Sequence, residues 1–395
     1  MHLFCWKPCI AKRESIIFQI KQKVDSISEN EVKSYLELLE QQIDIEHICA
    51  VEQRQLSVFD FERVDRLPIL ISTRDDVAHK TSDAIDWPSF SFGQMWNDYG
   101  AMLLNELRPV YESVILKDDK VFTLRPNLSQ IVVPSLFGAE ATYPDDQLDS
   151  MPAVESQLTY QQLKTINADE IDFQKHWIIN KYRNIIETWK ELLSDFPKLT
   201  EAIHFSLPDL QGPFNLYFLL RGTDAYTDII LDPDFTHDLM QKITTILIDL
   251  TNYLAEFVGY SDTGYYWNYC YPGKIRNVDD NSIQISPDLY NKFVLPYNQK
   301  LAEQCGGGIH HYCGQGDHII DQVMNIKGNI GLNFGNPEMH DWESIYGKAQ
   351  KYKVVLLYDS VIPIEKFKEL DQGVIMKIIV SSLDEGKRVL KKYIK

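Results

Sequence analysis

The order of hydrophobic runs along the chain predicts an α/β fold, a TIM-type (β/α)8 barrel preceded by an N-terminal helical extension. Three observations carry this expectation. From about residue 171, short β-rich runs alternate with amphipathic helical ones to the end of the sequence, the pattern of parallel strands joined by crossover helices. No G-x-G-x-x-G follows the first strand-like run and no G-x-x-x-x-G-K-[ST] occurs, which removes the usual nucleotide signatures of an open doubly wound sheet. There is no fixed-period repeat and no low-complexity linker, so one main domain, 61–395, follows an extension over 1–60.

The elements follow in order. ESIIFQIKQKV carries apolar residues at helical spacing. The next helix opens at Ser28 with Glu31 three residues on, a capping-box signature. VDRLPILI reads as a strand, and MWNDYGAMLLNEL as a helix that stops before Pro109. Asp118-Asp119 is a hairpin turn signal, and IVVPSLFG reads as a strand. A helix over 172–196 precedes the strand of AIHFSLPDLQGP, and a long amphipathic helix opens at Asp232-Pro233. TGYYWNYCY is β-rich. Residues 286–307 form a helix with a Ser286 cap, Pro287 in its first turn and a glycine stop. GIHHYCG, GNIGLNFG, KVVLLYD and GVIMKIIVSS then read as strands, with helices between and after them.

Composition bounds what such a protein does. In 395 residues there are 57 acidic and 39 basic side chains, a formal charge of −18. A protein so acidic lacks the basic surface that displaces counterions from nucleic acid or docks on anionic lipid. No run long and apolar enough to span a bilayer occurs, and the N-terminus lacks the pattern of a signal peptide. Six cysteines are too few for a disulfide scaffold, which fits a reducing cytoplasm. Cys5 and Cys9 make a C-x3-C pair with no second pair after it, so ordinary thiols explain it better than a zinc half-site.

In a barrel, chemistry sits at the C-terminal ends of strands, and that rule picks out five places. In GIHHYCGQGD, side chains alternate, so His311 and Cys313 share one face while His310 and Tyr312 take the other. An imidazole and a thiolate so placed can grip one zinc ion; a buried strand with a structural histidine has the same pattern. In NVDDNSIQISP, Asp279 reads as a solvated turn residue and Asp280 as a candidate acid, base or ligand. Asp209 and Gln211 in SLPDLQGP, and Asn333 in GLNFGNP, are candidates for reading a substrate's polar groups. Asp359 in LLYDSVIP is a candidate base or metal ligand. Tyr266 belongs to an aromatic run suited to lining a small-molecule pocket.

From residue 203 onward, DLQGPFNLYFLLRG, then DD before ISPDLYNKFVLPY, then GGGIHHYCGQGD, then GLNFGNPE and a closing strand and helix stand in an order that resembles the uroporphyrinogen decarboxylase superfamily. FERVDRLPIL and RPNLSQIVVPSLFG look like its upstream parts. The resemblance implies a TIM-type barrel and two chemistries. True uroporphyrinogen decarboxylases use no cofactor and bind a carboxylated tetrapyrrole with an arginine-bearing N-terminal motif, which this chain lacks. The other branch, similar to corrinoid-dependent methyltransferases, holds zinc with an H-x-C pair and a later cysteine. There, methyl passes between a small thiol and a separate corrinoid protein. His311 and Cys313 match the H-x-C pair. No cysteine follows Cys313, so the third ligand would have to be Asp280 or Asp359.

The first reading is therefore a zinc-assisted methyltransferase that moves methyl between a corrinoid protein and a small thiol. The second is a cofactor-free decarboxylase acting on a carboxylated ring, which arginines converging on the barrel mouth would favour. The third is a non-catalytic tetrapyrrole- or corrinoid-binding protein. A His–Cys–carboxylate cluster at metal distances would favour the first.

Overall fold

The computed structural model describes residues 26–73, 87–144, 149–359 and 361–394. The first predicted helix, at 14–24, and the Cys5/Cys9 pair lie outside the described residues. Helices α1 (Glu29–Gln42) and α2 (Ile45–Phe59) precede the first strand. Ser28 caps α1, its hydroxyl accepting from the Glu31 amide at 3.2 Å, and Val32, Leu36 and Leu39 form the buried stripe. No helix among the described residues is long and apolar enough to cross a membrane.

Twelve strands follow among the described residues: β1 (Ile69–Thr73), β2 (Thr123–Leu124), β3 (Glu140–Thr142), β4 (Ala153–Ser156), β5 (His204–Phe205), β6 (Thr263–Tyr266), β7 (Tyr269–Pro272), β8 (Ile275–Val278), β9 (Gly308–Tyr312), β10 (Asn329–Phe334), β11 (Val355–Asp359) and β12 (Val374–Val380). Six form one sheet in the order β1-β12-β11-β10-β9-β8, and every pairing in it is parallel. β2 and β5 form a separate parallel pair, while β3–β4 and β6–β7 are antiparallel hairpins. The backbone ladder of the described residues is thus six strands plus two, not the continuous eight that the alternation predicts.

The reason lies in the residues that flank the short strands. At the free edge of β1, the Ile69 and Ile71 amides donate to the side chains of Asp119 (2.9 Å) and Asp118 (2.7 Å) instead of to a neighbouring backbone. One main-chain bond, Asp119 N–H to Ile69 O at 3.0 Å, joins them. At the other gap, Gly212 N–H donates to Val278 O at 2.7 Å, tying the loop after β5 to the end of β8.

The Asp118-Asp119 turn prediction is therefore corrected. Both carboxylates are fully buried. Asp119 pairs with Arg54 at 2.7 Å and with Arg66. Lys120, 1% exposed, lies 3.1 Å from Asp118. Buried charges persist only when paired, and here the pairs also satisfy the strand edge. Other boundaries move too. The helix Tyr99–Leu116 runs through Pro109. Its buried face continues with Val110, Tyr111 and Leu116, and that burial outweighs the proline penalty of about 3 kcal/mol. IVVPSLFG contributes the short helix Val132–Leu136, because periodicity alone does not separate a short apolar strand from a buried helical turn. The helix expected over 286–307 is two, Pro287–Phe293 and Leu295–Gln304, broken at Val294.

Asp119→Ala removes one partner from a buried charge cluster and leaves the Ile69 amide unpaired. The expected loss is about 3–5 kcal/mol, read as a lowered urea midpoint. A variant as stable as the parent would mean the carboxylate does not hold the edge of β1.

Candidate functional site

β9 lies between β8 and β10 in the sheet, and all five of its residues are buried. Parallel register sets Val278 beside His311 and His311 beside Asn333. The predicted alternation holds. His310 lies on the helix side, where Asn277 Nδ2 is 3.2 Å from its Nδ1, and Tyr312 stacks edge-on to Phe334. His311 and Cys313 share the opposite face, with Nε2 to Sγ at 3.5 Å.

Asn333 decides the state of His311. Its amide nitrogen donates to Leu357 O at 3.0 Å, which turns its oxygen toward His311 Nδ1 at 2.6 Å. An amide oxygen only accepts, so Nδ1 carries the ring proton and Nε2 keeps its lone pair. That lone pair faces Cys313 Sγ and, at 3.7 Å, Asp280 Oδ1. Asp280 is placed by the 3-10 turn Asp280–Gln284 after β8 and by the Cys313 amide, which donates to its Oδ1 at 2.8 Å. One ligand atom from each of Asp280, His311 and Cys313 lies within 4.8 Å of the others. Donors held about 2.0–2.3 Å from one tetrahedral ion stand about 3.3–3.7 Å apart, so the donor types suit zinc and the His311–Cys313 and His311–Asp280 distances match its spacing.

Burial governs the protons here. Burial, then the Arg276 charge, pushes His311 well below the usual histidine range. The ring is neutral, and its contact with Asp280 is not an ion pair. Burial, then the Asp280 charge, pushes the Cys313 thiol up to about 11. Burial also raises Asp280, against the opposing Cys313 amide bond. Gly335 leaves the space that Sγ fills, since a Cβ there would stand 2.2 Å from it.

The other predicted residues are spread around this cluster. Asp209, Gln211 and Tyr266 line one void with Arg276. At about 20 Å³ it has room for little more than a water. Gln211 is buried, has φ +62° and is bonded to Asn215. Asp359, half-buried at the end of β11, is 3.9 Å from Lys377 and stands outside the three-residue cluster. Its carboxyl is raised by burial. Asp279 is not the solvated turn residue expected. It is fully buried, bonded to Asn298 at 2.8 Å, and pushed up by burial to about 7.

The larger space is beside Trp267, in a cavity of about 650 Å³ that also involves Ser72, Thr73, Arg108 and Lys377. Trp267 stands edge-on to His311 with ring centroids 6.3 Å apart. Arg276 lies over Trp267 at 4.1 Å and Arg125 at 5.9 Å. Arg125 also donates to the Tyr266 hydroxyl at 3.2 Å. The sequence reading holds Trp267 only as part of the aromatic run around Tyr266, and it misses Arg125, Arg276 and Lys377. The available signal was the Trp267-Asn268 dipeptide between two alternating aromatic runs. Both residues have positive φ (48° and 67°), as a two-residue hairpin turn requires.

Fold and site together define an α/β protein with a parallel sheet and a His–Cys–Asp cluster at its strand ends. No protein-family model matches the sequence, and no curated protein matches it. Among solved structures, a methyltransferase from Methanosarcina mazei is similar in fold, with a TM-score of 0.61 over 87% of this chain and 98% of that chain. The sequence identity is 15%.

In metal-free protein, alkylation of Cys313 by iodoacetamide, followed by mass spectrometry across the alkaline range, is expected to show a midpoint near 11. Asp280→Asn removes the neighbouring anion and lowers it. A midpoint at the ordinary cysteine value of about 8.5 would show that the thiol is not held in this buried, acidic setting.

Proposed function

We propose that the protein is a methyltransferase that moves a methyl group between a corrinoid protein and a small thiol, with a zinc ion held by Asp280, His311 and Cys313. The observation that carries this is the closeness of the three donors, with the His311 lone pair left bare by the bond to Asn333. Zinc at such a site supplies Lewis acidity that lowers the pKa of a bound thiol, so the nucleophile is anionic at neutral pH. The residues do the rest. Asn333 holds the imidazole orientation, as second-shell partners of metal ligands do. Asp280 takes the place of the later cysteine that the sequence lacks. Cys313 holds its proton in the free protein and must release it to bind metal, so affinity rises with pH. Trp267 walls the approach to His311, and the adjoining cavity is large enough for a small-molecule substrate.

The same reading takes the six-stranded sheet and the β2–β5 pair as one barrel wall, bridged by Asp118, Asp119 and Gly212. Residues 61–395 are then the barrel domain, 1–60 its helical extension, and the protein cytoplasmic. A cofactor-free decarboxylase is the second reading, and it rests on Arg125 and Arg276 converging on Trp267, where they suit a carboxylated substrate.

Metal analysis and methyl transfer from methylcobalamin to small thiols separate the two. The methyltransferase reading expects about one zinc per chain and activity lost with chelator or in Cys313→Ala. It also expects Asn333→Ala to weaken zinc binding about 10- to 100-fold. Metal-free protein that stays fully active would exclude it and leave the decarboxylase to be assayed.

A further inference from the structure

Beyond the three donors, the loop that follows β9 is held by a buried histidine. His340 has a fully buried side chain, and its Nδ1 is 2.5 Å from Asp317 Oδ1. Its Nε2 is 3.2 Å from the carbonyl oxygen of Gly314. A carbonyl oxygen has no proton to give, so Nε2 must donate. The Asp317 carboxyl is 45% exposed to water. An ionised carboxylate also only accepts, so Nδ1 must donate as well. A ring whose two nitrogens both donate carries two protons.

We infer that His340 is an imidazolium, paired with Asp317, that positions Cys313 by holding the carbonyl of Gly314. Gly314 follows Cys313 directly, and its φ of +81° is one that few other residues adopt. Its amide donates to Asn336 Oδ1 at 3.0 Å. The peptide units on either side of Gly314 are therefore each gripped from the loop after β10, and Cys313 is set between that grip and its own amide bond to Asp280. Phe334 packs against the His340 ring at 4.5 Å and Tyr312 at 6.0 Å, so the ring is flanked by two aromatic neighbours. His340 does not touch the donors; it is a positioning residue. The role rests on reading Asp280, His311 and Cys313 as the functional cluster, but the charge state and the grip are measurable without metal or substrate.

Nitrogen-15 NMR of the histidine side chains in metal-free full-length protein at neutral pH tests the charge. The ring that disappears in His340→Gln is expected to have both nitrogens protonated, and in Asp317→Asn to become a neutral tautomer. Hydrogen exchange tests the grip. His340→Phe keeps the ring packing but neither donor, and is expected to speed exchange at 313–319 at least tenfold while β11 is unchanged. His340→Gln, whose side-chain amide can still donate to Gly314, restores protection. A neutral His340 in the parent protein, or unchanged exchange in His340→Phe, overturns the inference. Failure of the zinc reading leaves both measurements as they stand. If His340→Phe loses its fold, so that β11 exchanges too, the Asp317→Asn spectrum and the His340→Gln exchange decide.

Discussion

A single hydrogen bond, from His311 Nδ1 to Asn333 Oδ1 at 2.6 Å, determines what the cluster is able to do. Without it the imidazole is free to take either tautomer, and the nitrogen facing Cys313 and Asp280 can be a donor as well as an acceptor. With it, that nitrogen is a bare base. The bond depends on parallel register, because His311 and Asn333 are paired across β9 and β10. It depends also on β11, whose Leu357 carbonyl fixes which end of the Asn333 amide points inward. Three neighbouring strands thus set one protonation state. A one-residue slip in any of them would turn the side chains to the other face.

The same economy of polar groups operates at the open edge of β1. A sheet edge is normally paired, covered or blunted, and here β2, the next strand along the chain, is two residues long. Asp118 and Asp119 supply acceptors to the Ile69 and Ile71 amides, and the arginines and lysine that neutralise them make the carboxylates tolerable in a buried setting. Fold and site are therefore solved in one way. Side chains complete what the backbone ladder leaves undone, and each such side chain is held by a second partner.

The sequence made the strand–helix alternation legible because helices and strands repeat with different periods. It also made the shared face of His311 and Cys313 legible, since strand alternation needs no tertiary information. Asp280 was readable as a candidate but not as the chosen neighbour, because nothing local separates it from Asp359. The parallel register beside β9 makes that choice. Asp118-Asp119 and Asp279 were misread for one reason. A pair of aspartates has the local signature of a turn, and only the fold shows that the partners of these carboxylates, Arg54, Arg66 and Asn298, come from elsewhere in the chain. Pro109 was misread because a local rule was weighed without the burial that overrides it.

Net charge is the last place where the whole chain and the site diverge. A charge of −18 describes the chain as a whole, and it sets an expectation against nucleic acid. It says nothing of the surroundings of Trp267, where Arg125 and Arg276 stand over one indole and Arg108 and Lys377 line the adjoining cavity. Cations set in low-dielectric walls have fields that reach farther than those of exposed acidic groups, which are screened within about 8–10 Å. An anionic ligand would thus be repelled by most of this surface and attracted at one place. That place is bounded by Trp267, which stands edge-on to His311, and the nearby Arg276 charge helps to keep the His311 ring neutral. The cation that would draw such a ligand in also keeps the His311 nitrogen free.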